Sequence, residues 1–206
     1  VNALSRITVQ YAKNFETLFD IDTRKIKLKK EEIQDLKGYL IDFARLYTPL
    51  IRPKFISINV TRKTPNNIPV ELDRELFDIA FSNIIDNAIK YSFNPEDRLK
   101  YGFQPKPGST EDEENVLLTA KVESDVVVIW ISSYGIELTA EERRKLFERE
   151  FRGVSADDRS KGIGIGLYLT KEIIKMHGGA IELVPQTPTF NTVFKITLPT
   201  KIRNSG

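Results

Sequence analysis

The stretch Asn83–Ser92, NIIDNAIKYS, limits what this chain can be more than any other. On a helix each residue turns by roughly 100°, so Asn83, Asp86, Asn87 and Lys90 share one narrow arc. Phe77, Phe81, Ile84, Ile85 and Ala88 share the opposite arc, giving one buried face and one polar face. A solvated helix face is the ordinary explanation of such a pattern. Asparagine, however, is a poor helix former, and a merely wet face is better built from Glu, Lys and Gln. Two amides four residues apart, with an ammonium three further on, suit a hard cation and its phosphates, because magnesium takes oxygen ligands and keeps phosphate company.

Gly162-Ile163-Gly164-Ile165-Gly166-Leu167 is the second informative stretch. Glycines on alternate positions let backbone approach a ligand, and the run feeds into a helix whose N–H groups and dipole favour phosphate. A glycine run alone is equally well explained by a flexible turn. Its spacing is not the GxGxxG of dinucleotide folds, and no GxxxxGK[ST] loop occurs.

Composition excludes more than it assigns. A chain of 206 residues with 40% apolar content can bury a full core. Lys and Arg number 31 against 29 Asp and Glu, which removes a bulk electrostatic case for nucleic acid or a membrane surface. Cysteine is absent, so disulfides, thiolate chemistry and Cys-based zinc sites are excluded. No apolar run approaches the ~18 residues of a membrane span. The first residues read as mid-helix, as in a piece of a longer protein whose anchor, if any, would lie upstream; a cytoplasmic location is the expectation for this part.

Along the chain, Leu4, Ile7, Tyr11, Phe15 and Leu18 form a helix stripe close to a coiled-coil seam, expected to pack on another chain or on residues outside this sequence. Lys25–Leu28 alternates as a short strand, and Glu31 opens a helix that Pro49 and Pro53 close or kink. A strand is expected at Phe55–Val60, an extended piece at Pro69–Leu72, and a surface insertion over 93–115, rich in Pro and acidic residues. Val116–Val122 and Val126–Ile131 read as a hairpin, and Thr139 with Glu142 as the capping box of a short helix. A polar loop at Arg152–Lys161, a helix at Gly166–His177 and strands at Ala180–Val184 and Thr192–Leu198 complete the order. This pattern predicts an α+β fold: a two-layer α/β sandwich, its mixed, mostly antiparallel sheet covered on one face by three helices.

These motifs carry a resemblance. The Asn83–Ser92 helix, SYGIEL at Ser133–Leu138, LFEREFRG at Leu146–Gly153, GIGIGL and KEIIKMHGG at Lys171–Gly179, in that order, resemble the ATP-binding domains of sensor histidine kinases in the GHKL superfamily. The similarity covers roughly Lys25–Pro199 and implies the Bergerat fold for residues 23–200, with 201–206 as a tail. Residues 1–22 resemble the last helix of the dimerisation and phosphoacceptor bundle. The resemblance implies ATP and Mg2+ as cofactors, with Asn87 ligating magnesium and Asn83 assisting at the metal or phosphates. Lys90 would meet phosphate, Tyr91 would lie beside the nucleotide, and Ser133 and Gly135 would stand at the adenine-reading turn. Arg152 would open a mobile lid, with Gly162, Gly164 and Gly166, beside Leu167, as its phosphate-side hinge. Implied partners are a response-regulator receiver domain, the chain's own upstream phosphoacceptor helix and a second copy in a homodimer.

The sole histidine, His177, ends the glycine-fed helix, where a capping or packing role is favoured by the helix dipole. The acceptor histidine is therefore expected outside this chain. Two departures bear on the base. Ser133 and Glu137 stand where the family usually has Asp and a second Gly. A lost hydrogen bond to a charged group costs about 1.5–3 kcal/mol, roughly 10–100-fold in affinity, and a serine hydroxyl recovers part of it. The main reading is an active kinase domain. Its alternative is a degenerate module that binds nucleotide weakly or not at all and acts through dimerisation. A topoisomerase or chaperone ATPase is disfavoured, because those usually carry Glu where Asn83 stands.

Overall fold

The structure, a computed structural model, describes residues 3–52, 55–93, 116–153, 163–185 and 190–200, with side chains from Thr8 onward. The insertion beyond Phe93, the loop beyond Gly153 including Gly162, and the tail lie outside the described residues.

Helix α1, Ala3–Asp22, opens the chain. Its docked face takes in Leu18 of the expected stripe and leaves Phe15 of that stripe exposed. Asn14, Thr17 and Leu18 are buried and Ile21 packs on the core, whereas Phe15 and Phe19 are 47% and 58% exposed. Positions 14, 17, 18 and 21 follow i, i+3, i+4, i+7 spacing, so α1 lies against its own domain on a face hidden from a hydrophobicity reading by two polar residues.

Lys25–Leu28 forms no strand; Ile26 and Leu28 instead tuck half-buried against the core. The strand is β1, Glu31–Ile33, antiparallel to β3, Val70–Leu72, in a two-stranded ribbon. The helix expected from Glu31 therefore starts later, as α2 at Leu36–Arg45, behind Asp35. Asp35 uses its carboxylate on the Asn67 N–H at 3.2 Å rather than on its own helix, and Leu36 N–H donates to Ile68 O, so the ribbon sets the start. Pro49 ends no helix but sits in the first turn of the short α3, Thr48–Ile51, where its missing N–H is harmless. Phe55 is 77% exposed at φ 54°, and β2 is confined to Ile58–Val60.

Helix α4, Arg74–Tyr91, is capped by Asp73, whose carboxylate accepts from Leu76 N–H at 3.1 Å. Strands β4, Val116–Glu123, and β5, Val126–Ser133, form the expected hairpin around Ser124, at φ 52°, and Asp125. Helix α5, Ala140–Lys145, carries the Thr139–Glu142 capping box. Helix α6, Gly166–Met176, and strands β6, Ala180–Val184, and β7, Thr192–Pro199, follow.

The main sheet runs β2-β4-β5-β7-β6, parallel only between β2 and β4. Alternate residues Leu118, Ala120, Val127, Ile129, Ile131, Phe194 and Ile196 join α2, α4 and α6 in one core. Leu117, Val193 and Phe190 make a smaller cluster on the opposite face. This is the expected two-layer sandwich with three helices on one face.

His177 locks the start of α4 to the end of α6. It is 1% exposed; its Nε2 accepts from Asp73 N–H at 2.9 Å and its Nδ1 donates to Ile173 O at 2.8 Å. That tautomer requires a neutral ring, and burial, the largest influence, pushes its pKa below the ordinary value. The unfolded chain therefore takes up a proton first as pH falls, so stability is full above about pH 6.5 and declines below it. We predict a thermal midpoint that drops between pH 7.5 and 5.5, and a flatter pH dependence in His177→Gln, read by circular dichroism.

Candidate functional site

The polar arc of α4 is not uniform. Asn83 is buried at 6% exposure, whereas Asn87 and Lys90 are half-buried. Asn83 Oδ1 accepts from Asn14 Nδ2 at 2.8 Å, and its own Nδ2 donates back at 3.4 Å. The Asn87 amide is not engaged by any described residue. The Lys90 ammonium lies 4.8 Å from the centre of the Tyr91 ring.

Helix α6 crosses α4 at small residues. Thr170 Oγ1 donates to Ala80 O at 3.1 Å, and a Cβ on Gly166 would come within 3.3 Å of the Asn83 amide. Asn83 and Gly166 are thus in contact, and Leu167 is half-buried at the core's edge. The first turn of α6 holds no acidic residue. Among the described residues, no side chain caps its leading N–H groups, an arrangement that suits an anion. Gly164 has φ 75°, and a Cβ there would sit 2.7 Å from Phe151 O, so only glycine fits. Arg152 is exposed next to that contact.

The far end of α4 is stitched to the turn after β5. Ile136 N–H donates to Tyr91 O at 3.1 Å and Phe93 N–H to Tyr134 O at 3.0 Å, flanking a Ser92–Gly135 bridge. A Cβ on Gly135 would lie 2.0 Å from Tyr91 O, so this glycine is required by backbone approach alone. Asn191, which no sequence motif marked, clamps the turn: its Oδ1 accepts from Gly135 N–H at 3.0 Å and its Nδ2 donates to Gly135 O at 2.6 Å.

Ser133 is 5% exposed and has the parity of Ile129 and Ile131, which places it on the helix-covered side of β5, paired with Thr192. Ser92 is 4% exposed, and its Oγ has no hydrogen-bond partner among the described residues. Hydroxyl residues therefore gather around the turn. Strand register is the signal by which Thr192 could have been found. A separate cleft of about 420 Å³ lies under α1, lined among others by Lys13, Lys29 and Arg74 against Glu31, Glu75 and Asp78. Its mixed charges select no class of ligand, and no glycine lines it.

The histidine kinase AdeS of Acinetobacter baumannii superposes with a TM-score of 0.68 at 17% identity, over 96% of this chain and 80% of that one. A nucleotide-free catalytic domain of histidine kinase ThkA gives 0.63 at 21% identity, over 84% and 98%. The architecture is thus that of histidine-kinase catalytic domains. Residues 72–202 match the family described as histidine kinase-, DNA gyrase B-, and HSP90-like ATPase, and the chain belongs to that family. It is 27% identical over 175 residues to the sensor histidine kinase Hik2 of Thermosynechococcus vestitus, covering 82% of this chain and 41% of that protein. It is 30% identical over 154 residues to the adaptive-response sensory kinase SasA of Crocosphaera subtropica, covering 74% and 35%. The chain therefore spans less than half of these curated relatives.

We predict that Asn191→Ala, which leaves the Gly135 backbone groups short of partners, destabilises the domain by about 1–3 kcal/mol. Gly135→Ala, which also forces its backbone away from Tyr91, is expected to cost more. Urea unfolding checks both.

Proposed function

We propose that this chain is the Mg-ATP-binding catalytic domain of a two-component sensor histidine kinase, which passes the γ-phosphate to a histidine outside these residues. The contact between Asn83 and Gly166 carries the reading, since it joins the motif helix to the glycine-fed N-terminus of α6. The donor set fits a magnesium nucleotide. Asn87 would ligate the metal through its amide oxygen, Lys90 would meet phosphate, and the uncapped α6 terminus would take the remaining negative charge. Magnesium, when bound, supplies neutralisation of charge on the phosphates. Tyr91, Ser133 and Gly135 would hold the base at the other end of α4, with Arg152 and Gly164 on the lid side. His177 is no acceptor candidate, because it is 1% exposed with both ring nitrogens occupied.

The family and the named relatives support this reading at the level of an ATPase domain of sensor kinases. From it follow a response-regulator receiver domain as partner, an upstream phosphoacceptor helix, a homodimeric parent and a cytoplasmic location. Among the described residues no helix is long and apolar enough to cross a membrane. The alternative, a weakly or non-binding module acting through protein contacts, draws on one observation: Ser133 occupies the place of the usual carboxylate.

Calorimetry with a non-hydrolysable ATP analogue separates the two. We expect binding that requires magnesium and weakens at least about tenfold in Asn87→Ala, or some 1.4 kcal/mol. Ser133→Asp should strengthen ATP binding by roughly tenfold and widen its preference over GTP. No heat at millimolar nucleotide would favour the alternative.

A further inference from the structure

Asn14 belongs to no motif, yet it is 2% exposed on a helix whose adjacent Phe15 is 47% exposed. Burying a primary amide is unfavourable unless its donors and acceptor are matched. Here they are. Asn14 Nδ2 donates to Asn83 Oδ1 at 2.8 Å, and Asn14 Oδ1 accepts from Gln10 Nε2 at 3.2 Å as well as from Asn83. On its other side the Asn83 amide bears on Gly166, the first residue of α6. Helix α1, the Asn83 side chain and the uncapped end of α6 form one continuous line of contact.

We propose that Asn14 is a positioning residue for the nucleotide site. Its hydrogen bonds fix the Asn83 amide on which the first turn of α6 rests, so docking of α1 and binding of a magnesium nucleoside triphosphate are coupled. This rests on the nucleotide reading of the site. With Asn14 in place, the Asn83 oxygen is satisfied by α1 and the flat amide is a fixed support behind Gly166. Without it, a buried amide loses its donor, and Asn83 must turn or admit water, which shifts Gly166 and the N–H groups that follow. The coupling is reciprocal by thermodynamic necessity: ligand that orders the α6 terminus tightens α1, and displacement of α1 loosens ligand. A second strap, Asp22 to Arg149 at 3.1 Å, ties the same helix down, but both side chains are over 40% exposed and the pair is weak.

The test uses the whole chain, with Asn14→Leu and the conservative Asn14→Asp, to which a rotated Asn83 amide can still donate. Asn14→Leu is expected to weaken binding of the magnesium-bound ATP analogue by about tenfold, and Asn14→Asp by no more than about threefold. In hydrogen exchange, nucleotide should slow the amides of Thr17–Asp22 in wild type but not in Asn14→Leu. A role in stability alone would lower the thermal midpoint yet leave affinity and nucleotide-dependent exchange unchanged, and that result overturns the proposal. Should Asn14→Leu fail to fold, the wild-type exchange decides by itself: no slowing of α1 overturns the coupling. A wild type that binds no nucleotide at all overturns the reading of the site and the coupling with it.

Discussion

Helix α4 and helix α6 meet at a crossing made by small groups. Ala80 and Thr170 are fully buried at the crossing, and Gly166 leaves no more than van der Waals room beside Asn83. This packing places an asparagine-bearing helix directly behind the start of a glycine-fed one. It is held at the far end by His177, which grips the N–H of Asp73 and so fixes where α4 begins relative to where α6 stops. A neutral, buried histidine is thereby a clamp on the distance between the two halves of the site, although it lies far from both.

The two ends of α4 are built on different principles. At Asn83 the site depends on side-chain amides that satisfy one another, whereas at Tyr91–Phe93 it depends on backbone pairing with the turn after β5. The steric demand on Gly135 arises from that pairing. Asn191 holds both backbone groups of Gly135 in that pairing. The side chains of Ser92 and Ser133 are buried beside this turn, and Thr192 pairs with Ser133 across the sheet.

Much of the fold was legible because period and motif agreed. The α4 residues alternate between faces as a 3.6-residue helix requires, Thr139–Glu142 capped a helix as a local hydrogen-bond pattern does, and β4 and β5 were long enough to show. The misreadings share a cause: tertiary contacts outweighed local pattern. Lys25–Leu28 alternates like a strand but has no partner to pair with, while Glu31–Ile33 finds one in Val70–Leu72. In α1, Asn14 and Thr17 share the docked face with Leu18 and Ile21, which an apolar pattern does not disclose, since an amide can be buried when a distant amide answers it. Asn14–Asn83 and Asn191–Gly135 join residues 69 and 56 positions apart, which no local spacing discloses.

The most direct test of the central claim is a map of backbone chemical shifts as a magnesium-bound ATP analogue is added. The account predicts that the largest changes fall on Asn87–Ser92, on the turn around Gly135 and on Gly164–Leu167, and that they vanish when magnesium is chelated. Changes confined to the mixed-charge cleft under α1, or none at saturating analogue, would contradict it.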